Sequence, residues 1–300
     1  MKALVTGASG FVGGYLGAHL ESEGDEVVGL DRVDGLDITD RQNVADMFAK
    51  HEPEVVYHLA ALSHVGESWG APQAVIETNV IGTLNVLDAA RATGARRVLV
   101  IGSAEEYGMV TGPPHALTED EPLRPCTPYG ASKVAAGFLA LQAFLGTGLE
   151  TIRVRAFNHT GPGQPPRFLV AALAHRVAET ERNAGDTIAV GNLTPVREVN
   201  DVRDIVRAYR LLMRHGTAGD VYNVCGGVGI SVREVAEQLV AKAARPLTLR
   251  VDPALSRPAD VPVLFGDPSK LMAATGWHPE YTLENTLTDM LTVARASVTG

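Results

Sequence analysis

Short apolar runs rich in β-branched residues alternate with longer helical patterns through the first half of the chain. The apolar runs predict buried strands at Ala3–Thr6, Glu26–Asp31, Val55–Leu59, Arg97–Gly102 and Thr151–Ala156. Apolar residues at helical spacing predict helices between them, at Val12–Glu23, Asp40–His51, Ala74–Thr93 and Tyr129–Leu145. Such alternation is typical of an α/β fold with a doubly wound parallel sheet, in which ligands bind beyond the carboxyl ends of the strands.

The second half of the chain has a looser pattern. Glycines and prolines at residues 161–166 mark a loop. Helical spacing then predicts helices at Arg167–Ala184, Asp201–His215, Ser231–Ala244 and Leu283–Ala294. The proline-bearing stretch Pro246–Asp267 predicts a loop with a short strand. We therefore expect a smaller C-terminal lobe attached to the sheet domain.

Composition excludes several classes of function. The net charge of −9 argues against a nucleic-acid or anionic-membrane partner, since both call for a basic surface. No stretch reaches the 18 apolar residues of a membrane span. The two cysteines, Cys126 and Cys225, form no CxxC pair, and the nine histidines show no metal-ligand spacing. We expect a cytoplasmic protein without a metal site.

A glycine-rich segment, Thr6–Gly13, follows the first predicted strand and opens the first predicted helix. Gly7 suits a tight turn, Gly10 allows the backbone to approach a pyrophosphate, and Gly13 allows close packing of the helix on the strand. Backbone amides at the helix start, which includes Phe11 and Val12, are expected to hold the phosphates. The segment therefore predicts a Rossmann-type dinucleotide site.

An acidic residue ends the next predicted strand. Asp31 lies 18 residues after Gly13, where a carboxylate accepts hydrogen bonds from the adenosine ribose hydroxyls. This favours NAD over NADP, although the adjacent Arg32 is suited to a 2′-phosphate. We expect residues 1–160 to form the dinucleotide-binding domain, with later segments returning to it. Residues 161–300 are expected to form mainly the substrate-binding lobe.

Tyr129 and Lys133 are four residues apart and therefore share one helix face. A phenol with a pKa of about 10 is a poor acid–base group at neutral pH. A neighbouring ammonium favours the phenolate, so Lys133 is expected to lower the pKa of Tyr129. Ser103 ends an earlier strand, where its hydroxyl can donate to a carbonyl or alkoxide oxygen.

These motifs, taken in order, resemble the extended short-chain dehydrogenase/reductase family, which contains NAD-dependent nucleotide-sugar epimerases and dehydratases. The resemblance implies that Ser103, Tyr129 and Lys133 are catalytic and that Lys133 also holds the nicotinamide ribose. It further assigns a set of residues to the cofactor site, namely Asp37, Ile38, Leu59, Ala60, Ala61, Asn79 and His159.

The second half carries the part of the resemblance that concerns the substrate. Arg197 and Arg257 stand in segments similar to the two loops that clamp a sugar diphosphate in this family. Asn158 matches a residue that touches the diphosphate in this family, and Asp260 matches a carboxylate that binds the nucleotide ribose. Glu105 stands where the dehydratases have a glutamate, and we assign it to the substrate site.

Three enzyme activities share this scaffold. The segments Ile101–Met109, Leu123–Lys133, Phe157–Gln164, Gly219–Cys225 and Arg257–Lys270 are most similar to the branch that reduces GDP-linked 4-keto-6-deoxy sugars. We therefore expect NAD(P)H-dependent 4-ketoreduction of a nucleotide-diphosphate sugar. A 4-epimerase and a 4,6-dehydratase remain alternatives. A non-catalytic NAD(P) sensor, a remote alternative, would usually lose the tyrosine or the lysine.

The predicted helices Ala74–Thr93 and Tyr129–Leu145 carry apolar residues around much of their circumference. One face of each would cover the sheet, which leaves a second apolar strip that includes Phe138. Pairing of both helices with their symmetry mates would bury this strip. We therefore expect a homodimer with a four-helix interface, as the family resemblance also implies.

Overall fold

The computed structural model describes residues 1–255 and 261–299, and its main sheet in these residues has six parallel strands. The six strands are β1 (Lys2–Thr6), β2 (Glu26–Leu30), β3 (Val55–His58), β4 (Arg97–Ser103), β5 (Glu150–Ala156) and β10 (Val221–Val224). Their order across the sheet is β10-β5-β4-β3-β1-β2. The predicted doubly wound α/β fold is confirmed, and all five strands predicted for the first half are present.

Helices cover both faces of this sheet. The helices of the first half are α1 (Phe11–Ser22), α2 (Arg41–His51), α3 (Val65–Ser68), α4 (Pro72–Ile76), α5 (Gly82–Ala92) and α6 (Pro128–Thr147). Alternate residues of a strand point to opposite faces. Tyr57 packs in the cluster of α1, whereas Val56 packs in the cluster of α2, α5 and α6.

The remaining helices are α7 (Leu169–Arg182), α8 (Val202–His215), α9 (Val232–Ala241), α10 (Ser269–Thr275) and α11 (Leu283–Thr299). Short strands connect them at β6 (His159–Thr160), β7 (Thr187–Val190), β8 (Val196–Arg197), β9 (Asn200–Asp201), β11 (Ile230–Ser231), β12 (Thr248–Val251) and β13 (Val263–Leu264). Helices α7, α9 and α11 share a second apolar core with β7, whereas α8 and α10 pack in the core of the main sheet. Segments beyond residue 160 thus contribute to both cores.

Two differences from the sequence prediction concern the main sheet and the helices that cover it. Strand β10, which was not predicted, pairs with β5 as the sixth strand of the main sheet. The single helix predicted at Ala74–Thr93 is divided into α4, a π-helical turn at Glu77–Ile81, and α5. Apolar periodicity did not predict the π-helical turn, because such a turn is a single irregular turn within an otherwise α-helical segment.

Within the described ranges, no helix is both long and apolar enough to cross a membrane. In the same residues, no group of three or more histidine, cysteine or acidic side chains could hold a metal ion.

Candidate active site

A large cleft lies at the carboxyl ends of the central strands and has a volume of about 1080 Å³. The glycine-rich segment lines it on one side, and residues from α7, β8 and α9 line it on the other. Sites for one small molecule usually measure about 300–1,000 Å³. The cleft therefore has room for a dinucleotide together with a second ligand.

The glycine-rich segment forms a turn that only small residues allow. Gly7 has φ +75°, and a Cβ there would lie 2.8 Å from the Ala60 nitrogen. A Cβ on Gly13 would lie 2.2 Å from the Gly7 carbonyl oxygen. The first turn of α1 therefore packs directly on the loop, and backbone amides at a helix start of this kind can bind a pyrophosphate. Gly7, Gly10, Phe11, Val12 and Gly13 all line the cleft.

A buried histidine holds the strand ends beneath this loop. The His58 ring bridges the hydroxyls of Thr6, at 2.8 Å, and Thr83, at 3.0 Å. The Thr6 hydroxyl also accepts a hydrogen bond from the Ala60 backbone. Burial lowers the pKa of His58 to about 3, so the ring is neutral. This network places Leu59, Ala60 and Ala61 along the cleft.

Asp31 and Arg32 both line the cleft at the end of β2. The Asp31 carboxylate accepts hydrogen bonds from the Ser9 hydroxyl, at 2.6 Å, and from the Arg32 backbone. Arg32 is largely exposed, with its guanidinium 3.9 Å from Asp37. Ile38 lines the cleft, whereas Asp37 lies outside its lining, with its carboxylate bound to Thr39. This geometry fits the assignment of Asp31 to the adenosine ribose and of Arg32 to a 2′-phosphate.

Ser103, Tyr129 and Lys133 meet in the cleft, and each is less than 10% exposed. Tyr129 and Lys133 are oriented by the start of α6, where the Thr127 hydroxyl caps the helix and Pro128 occupies the first position. The Lys133 ammonium donates to the Ile101 carbonyl at 2.8 Å and lies 5.9 Å from the centre of the Tyr129 ring. The trio is assembled from one strand end and one helix, as the sequence predicted.

The electrostatics of this trio differ from the sequence prediction. Burial raises the pKa of Tyr129 above its ordinary value, although a hydrogen bond with Ser103 acts in the opposite direction. Burial also lowers the pKa of Lys133 to about 8. The lowered pKa of Tyr129 that the sequence led us to expect is therefore not found in this structure, because removal from water outweighs the hydrogen bond with Ser103. Tyr129 is protonated at neutral pH and can donate a proton.

Asn79 lies in the π-helical turn and behind the cleft rather than on its surface. Its side chain accepts from the Leu62 amide at 2.8 Å and donates to the Leu62 carbonyl and the Ser132 hydroxyl. Ser132 in turn donates to the Tyr129 carbonyl. Asn79 therefore braces α6 against the loop after β3, and its role toward the cofactor stays a prediction.

Glu105, Asn158, His159 and Arg197 all line the cleft. The assignment of His159 to the cofactor and of the other three to the substrate stays a prediction. Arg197 is largely buried. Burial also lowers the pKa of His159, whose Nδ1 lies 2.9 Å from the Phe157 carbonyl oxygen. The assignments of Arg257 and Asp260 fall outside the described residues.

Sequence reasoning missed several polar residues of the cleft. His64 bridges its two sides, because its Nε2 lies 3.4 Å from the Arg167 carbonyl oxygen and its ring packs edge-on against Phe168. Glu198 is almost fully buried and accepts hydrogen bonds from the Gly226 and Gly266 amides. The position of His64 just beyond the end of β3 was a usable signal. The burial of Glu198 had none, since the two glycine amides that bind it are distant in sequence.

The chain is similar to known proteins over most of its length. The family model described as GDP-mannose 4,6 dehydratase matches residues 33–290. A GDP-6-deoxy-D-mannose reductase from Pseudomonas aeruginosa is 35% identical over 292 residues, which cover 97% of this chain and 96% of that protein.

Two solved structures are also similar to this chain. The structure of RMD from Pseudomonas aeruginosa complexed with NADPH has a TM-score of 0.91 and 33% identity, with 99% of this chain and 100% of that chain covered. The UDP-glucose 4-epimerase of Thermus thermophilus in complex with NAD has a TM-score of 0.89 and 28% identity, over 99% and 100% of the two chains. The chain therefore belongs to the GDP-mannose 4,6-dehydratase family of extended short-chain dehydrogenases/reductases.

Proposed function

We propose that this protein reduces the 4-keto group of a nucleotide-diphosphate-linked 4-keto-6-deoxy sugar, with GDP as the nucleotide and NAD(P)H as the reductant. The similarity to a GDP-6-deoxy-D-mannose reductase over nearly the whole chain carries this proposal. The joint placement of Ser103, Tyr129 and Lys133 in a cleft with room for two ligands supports it.

The described residues suit this reaction. When bound, NAD(P)H supplies the hydride that reduces the keto carbon. Tyr129, which is protonated at neutral pH, donates its proton to the oxygen that develops negative charge. The Ser103 hydroxyl donates a hydrogen bond to the same oxygen, and the Lys133 ammonium stabilises the phenolate that remains. The burial of all three excludes water and strengthens these interactions.

A 4,6-dehydratase is the second candidate, because Glu105 lines the cleft and acts electrostatically on Tyr129. Dehydration needs an additional acid–base group of this kind to remove water across the sugar. The two activities differ in their substrates, because a dehydratase consumes the hydroxy sugar and a ketoreductase consumes the keto sugar.

The test is a substrate panel. Purified protein is incubated with GDP- and dTDP-linked 4-keto-6-deoxy sugars and with NADH or NADPH, and cofactor oxidation is followed while the product is identified by NMR. The proposal predicts oxidation with the GDP-linked keto sugar. GDP-mannose and UDP-glucose, each with oxidised cofactor, are the matched controls. Turnover of GDP-mannose to the keto sugar, or of UDP-glucose to its 4-epimer, without ketoreduction would instead establish one of the alternatives.

We also propose that the enzyme is a cytoplasmic homodimer. Ile76, Ile81, Phe138 and Leu145 are exposed on the segments around α4 and on α6, which pack side by side. An apolar strip of this kind is costly to leave in water, and a twofold contact between these helices would cover it. Neither Cys126 nor Cys225 is in a disulfide, which suits a reducing compartment.

A further inference from the structure

Glu106 is a buried carboxylate directly behind the catalytic serine. It lies one turn beyond the end of β4 and is only 4% exposed. Its Oε1 accepts a hydrogen bond from the Ser103 backbone amide at 2.9 Å, while the Ser103 hydroxyl accepts one from the Glu105 amide at 3.2 Å. A Cβ on Gly102 would lie 2.1 Å from the same oxygen, so the absent side chain of Gly102 provides the space for the carboxylate.

The second carboxylate oxygen faces Arg155 on the neighbouring strand. The Arg155 Nε donates to Glu106 Oε2 at 3.2 Å, and its Nη1 donates to the Tyr107 hydroxyl and the Glu119 carbonyl. Arg155 is itself 6% exposed. Parallel pairing puts Arg155 opposite Gly102, which brings the guanidinium to the end of β4. A charged pair thus crosses from β4 to β5 beneath the active site.

Both oxygens of Glu106 accept hydrogen bonds from N–H donors, and the Arg155 guanidinium lies beside one of them, which is the bonding pattern of a carboxylate. Burial acts against the charge and raises the pKa of Glu106. A buried pair of this kind contributes little net stability, because the desolvation of two charges offsets their attraction. Stability alone therefore does not account for a carboxylate at this position.

We infer that Glu106 is a positioning residue of the active site, which fixes Ser103 through its backbone amide and sets a negative charge behind Tyr129 and Lys133. The direct contact that supports this role is the hydrogen bond from the Ser103 backbone amide to Glu106 Oε1.

The charge acts on both titratable members of the trio. Glu106 favours the ammonium form of Lys133, against the burial that lowers its pKa, and it also favours the protonated phenol of Tyr129. The other titratable groups that act on them are Glu105, which acts on Tyr129 in the same direction, the neutral ring of His58, and the phenol of Tyr209, whose pKa burial raises. Loss of the Glu106 charge should therefore make both groups lose their protons at lower pH.

The first test is Glu106→Gln, with Glu150→Gln as its matched control. The Arg97–Glu150 pair joins the same two strands at their amino ends, roughly 20 Å from Ser103 at about 3.3 Å per residue. We expect Glu106→Gln to lower kcat about tenfold or more, as small misplacements of reacting groups do, and to leave cofactor affinity within about threefold. The alkaline limb of its kcat profile should move down by about half a pH unit or more. Glu150→Gln should change neither kcat nor the position of the alkaline limb.

Loss of one partner leaves a charge buried without its counterion, which can unfold a protein. The double variant Glu106→Met/Arg155→Met removes both charges, and we expect it to fold and to keep the low kcat and the shifted limb. Wild-type kcat in the folded double variant, or equal effects of Glu106→Gln and Glu150→Gln, would overturn the inference.

The kinetic arm rests on the proposed reductase function, so a second arm is independent of turnover. The rate of Lys133 acetylation by a small reagent is measured against pH by mass spectrometry, without substrate. The half-maximal pH should be lower in Glu106→Gln than in the wild type and in Glu150→Gln. An unchanged value would refute the role of Glu106. Failure of the wild type to reduce any keto sugar would refute the proposed function and leave this readout standing.

Discussion

Gly13→Ala tests whether the close packing of α1 on the glycine loop is what builds the cofactor site. The new Cβ would lie 2.2 Å from the Gly7 carbonyl oxygen and 2.7 Å from the Ala8 Cα and carbonyl oxygen. Contacts below 3.0 Å are essentially never seen, so the helix or the loop must move by at least about 0.8 Å. These obstacles are backbone atoms, which cannot rotate away.

The displacement has a calculable effect on binding. Overpacking of this kind costs about 1–3 kcal/mol of stability. Loss of two amide hydrogen bonds to the cofactor phosphates, at about 1 kcal/mol each, would weaken binding by about 2 kcal/mol. That corresponds to roughly a 30-fold rise in Kd. Fluorescence titration with NADH and NADPH measures the Kd, and thermal unfolding measures stability.

Gly14→Ala is the matched control. Gly14 is the next residue of α1, is exposed, and has nothing within 4 Å of a new Cβ. Alanine in a helix interior is favoured over glycine by about 1 kcal/mol, so this variant should bind cofactor normally and unfold at a slightly higher temperature. A Kd for Gly13→Ala within threefold of wild type, or equal weakening by both variants, would refute the reasoning.

Four further predictions concern the trio, the cofactor, the assembly and the buried histidine. Tyr129→Phe should lower kcat at least about 100-fold with cofactor binding intact, and more than about a tenth of residual activity would remove Tyr129 from its role. The wild type should bind NADH at least as well as NADPH, and Asp31→Ala should weaken the binding of NADH more than that of NADPH. Tighter binding of NADPH by the wild type would contradict this prediction. Light scattering should show a dimer that Phe138→Glu dissociates, and a monomeric wild type would exclude the dimer. The folded state keeps His58 neutral, with a pKa of about 3, so the free energy of unfolding should fall as the pH drops below about 6.5, by up to about 1.4 kcal/mol per pH unit. His58→Gln should flatten this slope in acid unfolding curves, and an equal slope in the wild type and the variant would be evidence against the prediction.

Much of the fold and of the cofactor site follows from short-range sequence patterns. Strands β1 to β5 were predictable because fully buried strands are continuous apolar runs, and α6 because its apolar residues repeat with helical period. The glycine-rich segment and the Tyr129/Lys133 pair were recognisable because their geometry depends on spacings of a few residues.

The tertiary structure decided the features that depend on distant partners and on removal from water. Strand β10 is short, and only its pairing with β5 makes it part of the sheet. The pKa of Tyr129 is raised rather than lowered, because burial disfavours the phenolate more than nearby groups favour it. The Glu106–Arg155 pair exists because β4 and β5 pair in one register, with Gly102 opposite Arg155. Sequence periodicity reports which face of an element is apolar, whereas desolvation and strand register depend on packing between residues far apart in the chain.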